Sequence, residues 1–231
     1  MPKPVAVITG ASRGIGRATA LRLSGDYDIV AVARSRDELE SLAGEIAAKG
    51  GSCRPVVVDI TDPGAVSAAL SGIDAQVLVN NAGIGVMKPF LELTRDEWTR
   101  MVDTNLNSLF DVTRAIAPAM VARKSGHIVI IGSISGRSAY VGGTCYAATK
   151  HAVLGFSESL MLELREHRVK VSIVNPGSVD TDFSTGRAGD GSWKLTAEDV
   201  AESVAFVVAT PPEVLVHRVE VRTLTVPKKK S

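Results

Sequence analysis

Residues 5–16 read VAVITGASRGIG and decide the fold, because a short apolar run passes directly into a glycine-rich turn and then into a helical pattern. The run is rich in Val and Ile, as is typical of a strand that is buried on both faces. A glycine-rich turn before a helix lets backbone N–H groups approach a pyrophosphate, and the start of the helix adds partial positive charge. The stretch therefore predicts a dinucleotide-binding turn after the first strand of a parallel sheet.

The glycines of this turn, Gly10, Gly14 and Gly16, have the spacing GxxxGxG, whereas the common dinucleotide fingerprint is GxGxxG. Glycines also cluster in plain turns, so the spacing alone does not establish a binding site. The strand before the turn and the helical pattern after it favour the dinucleotide interpretation.

Short apolar runs alternate with helical patterns along the rest of the chain, an order that favours a parallel sheet with helices on both faces. The predicted strands are 5–9, 28–33, 55–59, 76–80, 127–132, 169–174 and a last one near 216–221. The predicted helices are 14–23, 36–49, 63–70, 94–123, 146–167 and 197–209. We therefore expect an α/β fold of the Rossmann type, doubly wound around a mainly parallel seven-stranded sheet.

Length and composition set limits on the class of protein. A chain of 231 residues is long enough for one buried core and too short for two full-sized α/β domains, so we expect one domain over residues 1–231. Lys and Arg total 26 against 25 Asp and Glu, a net charge of +1 that argues against nucleic acid as a partner. No apolar run approaches the roughly 18 to 20 residues that cross a bilayer, and the chain enters a strand pattern at once. We expect a cytoplasmic protein that does not bind membranes.

The two cysteines, Cys53 and Cys145, lie far apart and have no CxxC partner, and the four histidines show no metal-ligand spacing. We therefore expect neither a disulfide framework nor a bound metal.

The end of the second predicted strand indicates which dinucleotide binds. An Asp or Glu at this point would hydrogen-bond the ribose 2′-hydroxyl of NAD and repel a 2′-phosphate, but the chain has Arg34 and Ser35 here. The planar cation of Arg34 suits a phosphate, and Arg13 in the glycine turn is a second cation that could reach it. The alternative is that both arginines are solvated surface residues. The nearby acids Asp37 and Glu38 suit the start of the next helix, so the pattern predicts NADP(H).

A tyrosine and a lysine four residues apart, Tyr146 and Lys150, share one face of a predicted helix. The ordinary pKa of a phenol is near 10, and a neighbouring ammonium lowers it, so Lys150 and an oxidised nicotinamide together would make Tyr146 a general acid or base. Ser133 ends the apolar run of the fifth strand, which places a hydroxyl near the same crevice. Ser135 is an alternative for the role of Ser133. These residues predict proton transfer at a carbonyl or alcohol group.

The motifs together resemble those of the short-chain dehydrogenase/reductase family in its compact, single-domain form. They occur in the family's order and approximate spacing, over nearly the whole chain: TGASRGIG at 9–16, NNAG at 80–83, Ser133, YAATK at 146–150 and NPG at 175–177.

The resemblance implies roles for the matching residues. Asp59 and Ile60 would border the adenine, and Asn105 would hold a water connected to the catalytic lysine. Tyr146 would transfer the proton, and Ser133 would orient the substrate. With Arg34 and Ser35 included, the expected cofactor-binding residues are Gly10, Ser12, Arg13, Gly14, Ile15, Gly16, Arg34, Ser35, Asp59, Ile60, Asn80, Ala82, Gly83, Tyr146, Lys150, Pro176, Gly177, Val179 and Thr181. The catalytic residues would be Asn105, Ser133, Tyr146 and Lys150.

The resemblance implies hydride transfer between nicotinamide and a small alcohol or carbonyl substrate, and a homotetramer or homodimer. The chain lacks a VDGG-like ending, which argues against an acyl-carrier-protein ketoreductase; residues 217–224, HRVEVRTL, look more like members that oxidise 3-hydroxy acids or reduce assorted carbonyls. The substrate-facing candidates are Met87, Lys88, Phe90, Tyr140, Val141 and the loop 184–193. Lys88 or Arg187 is a candidate for binding a substrate carboxylate, and the loop is either a lid or a mobile surface loop.

Two other functions fit the same motifs. One is a non-catalytic NADP(H) sensor or scaffold, which the intact set of four catalytic residues argues against. The other is an epimerase or dehydratase that uses the cofactor transiently, which net production or consumption of NADPH would exclude.

Overall fold

A computed structural model describes residues 3–181, 183 and 193–225 of the 231. Its strands are β1 Val5–Thr9, β2 Asp28–Ala33, β3 Cys53–Val57, β4 Ala75–Asn80, β5 Gly126–Ile131, β6 Val169–Pro176 and β7 Arg218–Val221. Its α-helices are α1 Gly14–Leu23, α2 Arg36–Ala48, α3 Pro63–Leu70, α4 Arg95–Val102, α5 Ser108–Arg123, α6 Thr144–Leu164 and α7 Ala197–Val208. A π-helical segment, Asp103–Asn107, joins α4 to α5.

The seven strands form one sheet in the order β3-β2-β1-β4-β5-β6-β7, and every ladder between them is parallel. The chain builds outward from β1 to β3 on one side and then from β4 to β7 on the other. The direction of winding therefore changes between β1 and β4, and ligands of such sheets bind at the carboxyl ends of the strands beside this point. The predicted doubly wound fold is confirmed.

Helices cover both faces of the sheet. Neighbouring residues of each buried strand point to opposite faces, so each strand contributes side chains to both apolar layers. Ile8 packs in the apolar layer shared with α1, α2 and α7. Val7, the residue before it, packs in the layer shared with α3, α5 and α6. This arrangement explains why the strands read as continuous apolar runs.

Two of the differences between predicted and observed elements affect residues of the predicted site. The third strand was expected at 55–59, but it pairs with β2 two residues earlier. Its pairing runs from Cys53 opposite Ile29 to Val57 opposite Ala33, where β2 ends, so Asp59 lies in the following loop. The expected single helix 94–123 is interrupted by the π-helical segment, within which Asn105 is buried. Among the described residues, no helix is both long and apolar enough to span a membrane. Of the predicted loop 184–193, all but Trp193 lies outside the described residues.

Candidate active site

A cleft of about 1740 Å³ runs along the carboxyl ends of the strands. Most of the residues predicted to bind a cofactor or to react line it: Gly10, Ser12, Arg13, Gly14, Ile15, Arg34, Ser35, Asp59, Ile60, Ala82, Gly83, Tyr146, Lys150, Pro176, Gly177, Val179 and Thr181. Four predicted residues do not line it, namely Gly16, Asn80, Asn105 and Ser133, and each of these is buried beside it. The cleft is large enough for a dinucleotide together with a small substrate.

The glycine turn between β1 and α1 forms one end of the cleft. Gly10 and Gly14 have φ values of 65° and 54°, which side chains disfavour. A Cβ atom on Gly16 would lie 2.2 Å from the carbonyl oxygen of Gly10, so only glycine fits there. The side chain of Arg13, the N-cap residue of α1, makes no capping hydrogen bond. The first-turn N–H groups of α1 therefore have no side-chain acceptor at the N-cap, as an anion-binding turn requires.

The turn is held in place by Asn81, which the sequence analysis did not assign to the site. The side-chain amide of Asn81 donates to the backbone oxygens of Thr9 (2.9 Å) and Gly10 (3.3 Å). The hydroxyl of Thr9 accepts in return from the backbone N–H groups of Asn81 and Ala82. The predicted residue Asn80 instead donates its amide to Thr113 on α5, so it supports the core and does not face the cleft.

Arg34 and Ser35 follow β2 at the far end of the cleft. The guanidinium of Arg34 is 75% exposed and lies 3.7 Å from the carboxylate of Asp59, a separation at which an exposed ion pair is weak. Asp59 accepts from the backbone N–H and hydroxyl of Thr61, and these bonds, with the nearby Arg34, lower the pKa of Asp59. Ser35 is the N-cap residue of α2, but its hydroxyl makes no capping bond. This corner therefore offers a cation and a hydroxyl to an anionic ligand.

Tyr146, Lys150 and Ser133 meet where β5 ends and α6 begins. The ammonium of Lys150 lies 5.8 Å from the centre of the Tyr146 ring and donates to the backbone oxygen of Ile131 at 3.0 Å. The hydroxyl of Ser133 interacts with the phenol of Tyr146 and accepts from the backbone N–H of Ser135 at 3.1 Å. All three functional side chains are at least nine-tenths buried.

The expectation for this group was that Lys150 and an oxidised nicotinamide together lower the pKa of Tyr146. Burial raises the pKa of Tyr146 to about 12, and the lowering influence comes from the hydroxyl of Ser133. Burial also lowers the pKa of Lys150 itself to about 8. The chain alone therefore favours a neutral phenol, because desolvation of the charged form outweighs the hydrogen bond with Ser133.

Ser133 is positioned by a second residue that sequence reasoning did not assign, Asn175 on β6. The side-chain oxygen of Asn175 accepts from the backbone N–H of Ser133 at 3.2 Å. A Cβ atom on Gly132 would lie 2.2 Å from that same oxygen, so the contact requires glycine before Ser133. The adjacency of β5 and β6 creates this contact.

Asn105 lies behind Lys150. Its side chain accepts from the backbone N–H of Ile84 at 2.8 Å and donates to the backbone oxygen of Ile84 and the hydroxyl of Thr149. Asn105 thereby ties the loop after β4 to α6, one residue before Lys150. A cavity of about 10 Å³ touches both Asn105 and Lys150, which is about the volume that one water molecule needs.

Lys88 and Arg187 were the candidates for binding a substrate carboxylate. The ammonium of Lys88 lies 2.7 and 2.9 Å from the two carboxylate oxygens of Glu97, so it already has an anionic partner. Arg187 lies outside the described residues. In the part of the chain that the structure describes, no group of three or more His, Cys, Asp or Glu residues is arranged to hold a metal ion.

A doubly wound sheet, a glycine turn at its switch point and a buried group of Tyr, Lys and Ser at the edge of one cleft define a class of dinucleotide-dependent enzymes. Residues 4–190 match the profile of the short chain dehydrogenase family. The chain belongs to this family.

The relatives and solved structures agree with that assignment. An NADP-dependent 3-hydroxy acid dehydrogenase of Salmonella typhi is 33% identical, over 96% of this chain and 95% of the relative. A metagenomic short-chain oxidoreductase solved with NADP is 34% identical, with a TM-score of 0.86 over 97% of this chain and 99% of that one. An alcohol dehydrogenase from Thermococcus sibiricus, solved with 5-hydroxy-NADP, is 28% identical, with a TM-score of 0.90 over 98% of this chain and 99% of that one.

Proposed function

We propose that this chain is an NADP(H)-dependent oxidoreductase that interconverts a small alcohol and its carbonyl compound on a single domain. The observation that carries the proposal is that the phenol of Tyr146 and the ammonium of Lys150 line one cleft with the glycine turn, while the hydroxyl of Ser133, buried beside the cleft, interacts with that phenol. Relatives that are named as NADP-dependent dehydrogenases, or were solved with NADP, support the choice of cofactor.

The cleft fits a dinucleotide on its own geometry. The space that a Cβ atom on Gly16 would fill is taken by the backbone of Gly10, which keeps the turn tight and its amides accessible. When it is bound, the nicotinamide supplies or accepts the hydride. The chain's own contribution is to position the reactants and to move a proton.

In carbonyl reduction, we assign to Tyr146 the role of giving its phenolic proton to the substrate oxygen. Ser133 would hydrogen-bond the same oxygen, and Asn175 would keep Ser133 in place through its backbone N–H. The charge of Lys150 would stabilise the phenolate that remains, since electrostatic attraction is stronger in a buried site than in water. We also assign to Lys150 a hydrogen bond to the nicotinamide ribose.

The proton then has to be replaced. We propose that the cavity between Asn105 and Lys150 holds a water that returns the proton through Lys150. The lowered pKa of Lys150, about 8, makes this ammonium a better proton donor than an exposed lysine would be.

The proposal extends to assembly and location. We propose a homotetramer or homodimer, supported by exposed apolar side chains on the two long helices, Phe110 on α5 and Leu162 on α6. We propose a cytoplasmic location, supported by the absence of a disulfide between Cys53 and Cys145, both of which are free thiols.

The test of the function is a panel of aldehydes, ketones, diketones and sugars, incubated with the purified chain and NADPH. We expect one equivalent of NADP+ for each equivalent of alcohol formed. Binding of NADPH without consumption by any carbonyl would support a sensor or scaffold instead. Conversion of a substrate without net change in NADPH would support an epimerase or dehydratase.

Replacement of Arg34 by Asp should reverse the cofactor preference. The carboxylate would repel a 2′-phosphate and accept from a 2′-hydroxyl, whereas Arg34 offers a charge-assisted bond to the phosphate. We expect kcat/KM for NADPH to fall about 10- to 100-fold relative to that for NADH, which is the worth of one such bond.

The matched control is Arg54→Asp, the same change of charge at an exposed residue of β3 outside the cleft. This variant should keep the parent's ratio of the two kcat/KM values. A parent enzyme that uses NADPH and NADH equally well would refute the role of Arg34.

A further inference from the structure

We propose that the substrates of this chain carry an aromatic or bulky apolar group beside the reacting carbonyl, and that Met87, Tyr140 and Phe183 bind that group as one continuous apolar wall. The inference rests on the proposed oxidoreductase function, and it specifies the substrate class of that site.

Contacts join Met87 to Tyr140 within the apolar wall and join Phe183 to the catalytic candidate Tyr146. The hydroxyl of Tyr140 donates to the sulfur of Met87 at 2.9 Å. The ring of Phe183 meets the ring of Tyr146 edge-on, with 5.6 Å between centroids and 62° between planes, which is a favoured aromatic geometry. All of these residues line the cleft. The apolar wall therefore reaches the residue that carries the reactive proton.

Gly85 brings the two halves of the apolar wall together. A Cβ atom on Gly85 would lie 2.7 Å from the ring carbon Cε1 of Phe183 and 2.9 Å from the Cε methyl of Met87. The side chains of Phe183 and Met87 thus occupy the space that a side chain at residue 85 would need. The shape of the apolar wall depends on glycine at this position.

Aromatic side chains are concentrated in the cleft. The chain has five Phe, three Tyr and two Trp, and four of these ten line the cleft: Tyr140, Tyr146, Phe183 and Trp193. The wall residues Met87, Tyr140 and Phe183 keep 40%, 40% and 38% of their surface exposed, so they are not consumed by core packing. Open apolar surface inside a cleft is the usual environment for an apolar ligand group.

The charged side chains near the apolar wall also favour an apolar substrate group over a carboxylate. Lys88 is paired with Glu97, whose pKa is lowered to about 2, chiefly by its hydrogen bond to that ammonium, so the carboxylate of Glu97 remains ionised at neutral pH. Lys194 lies 3.1 Å from the carboxylate of Asp180. Arg100 on α4 also lines the cleft, so binding of a substrate carboxylate by Arg100 would contradict the inference.

The test compares three carbonyl compounds with NADPH: acetophenone, acetoacetate and methyl acetoacetate. The ester keeps the 3-oxo chain of acetoacetate and replaces its charge by one methyl group, so it separates the effect of charge from that of a large apolar group. We expect kcat/KM for acetophenone to exceed that for acetoacetate by about 10- to 200-fold, the range that differences in apolar contact produce, with the ester between them. Equal or better use of acetoacetate would overturn the inference.

Variants show whether the apolar wall causes this preference. Phe183→Ala should lower kcat/KM for acetophenone by about 10-fold or more, mainly through KM, because the lost contact is made by the bound ketone before reaction. Phe206→Ala, at an exposed phenylalanine of α7 outside the cleft, is the control and should have no effect. Arg100→Gln should leave the preference unchanged. A preference that persists in Phe183→Ala, or disappears in Arg100→Gln, would contradict the role of the apolar wall.

A binding measurement separates this inference from the oxidoreductase function. Ligand-observed NMR with NADP+-loaded protein should show saturable binding of acetophenone that is weakened by Gly85→Ala and not by Gly44→Ala, a helical glycine with open space around it. If no carbonyl is reduced but acetophenone binds in this way, the apolar wall stands and the proposed function fails. If acetoacetate is reduced best, the function stands and the apolar wall fails. Absence of both binding and reduction would overturn the inference.

Discussion

Tyr146→Phe should lower kcat about 10²- to 10⁴-fold, the usual contribution of a positioned general acid or base. The change removes one oxygen and keeps the ring that contacts Phe183, so the fold and the affinity for NADPH should remain largely intact. The measurement is kcat for reduction of a carbonyl substrate with saturating NADPH, together with the Kd of NADPH. Because Ser133 and Lys150 remain, the loss reports on the phenolic proton.

The control for this variant is Tyr27→Phe. Tyr27 is half-buried against the core outside the cleft, and burial raises the pKa of its phenol, as it does for Tyr146. The variant Tyr27→Phe therefore removes an equivalent phenolic oxygen at a position where no chemistry is expected, and activity should be retained. Wild-type activity in Tyr146→Phe would remove Tyr146 from the mechanism.

Gly16→Ala should disrupt the dinucleotide turn. The added methyl group would lie 2.2 Å from the backbone oxygen of Gly10 and 2.5 Å from the side-chain amide nitrogen of Asn81, so the backbone has to move. We expect the free energy of unfolding to fall by about 3 kcal/mol, at the upper end for overpacking. Since the same movement disturbs the amides that would face the phosphates, the Kd of NADPH should rise at least about 10-fold, as expected when a binding geometry shifts.

Denaturant titration and calorimetry measure these two quantities. Gly44→Ala, in the middle of α2 with nothing within 4 Å of the new methyl group, is the matched control. It should stabilise the chain by up to about 1 kcal/mol, because alanine favours the helix, and leave the affinity for NADPH unchanged. A Gly16→Ala variant with parental stability and affinity would show that the turn tolerates a side chain.

Local sequence patterns were sufficient to predict much of the candidate site. The glycine turn follows from a strand that passes directly into a helix, and the pairing of Tyr146 with Lys150 follows from their spacing on α6. The position of Ser133 follows from the end of β5. Each of these depends on residues that are close together in the sequence, which is where periodicity and turn chemistry are informative.

Contacts between strands could not be predicted in this way. Asn81 bonds Gly10 because β4 lies beside β1, and Asn175 bonds Ser133 because β6 lies beside β5. The signal for Asn81 was present in the Asn-Asn pair at the end of β4, but only the strand order shows which of the two reaches the turn. Similarly, the pairing of Lys88 with Glu97 follows from the loop that folds back onto the start of α4.

The pKa of Tyr146 was the property that the sequence predicted least well. The spacing of Tyr146 and Lys150 indicates an attraction that lowers the pKa, but it does not show the burial that raises it. Burial depends on distant residues such as Phe183, whose ring packs edge-on against the ring of Tyr146. The balance between the two effects is therefore a property of the folded cleft.

Transfer of deuterium from NADPH labelled at C4 of the nicotinamide tests the central claim most directly. The chain is incubated with each C4-deuterated epimer of NADPH and a carbonyl substrate that it reduces, and the product alcohol is examined by mass spectrometry and NMR. We predict one deuterium per molecule on the carbinol carbon from one of the two epimers, with one equivalent of NADP+ formed, and loss of this product in Tyr146→Phe. Alcohol that carries no deuterium from either epimer would contradict hydride transfer in this cleft.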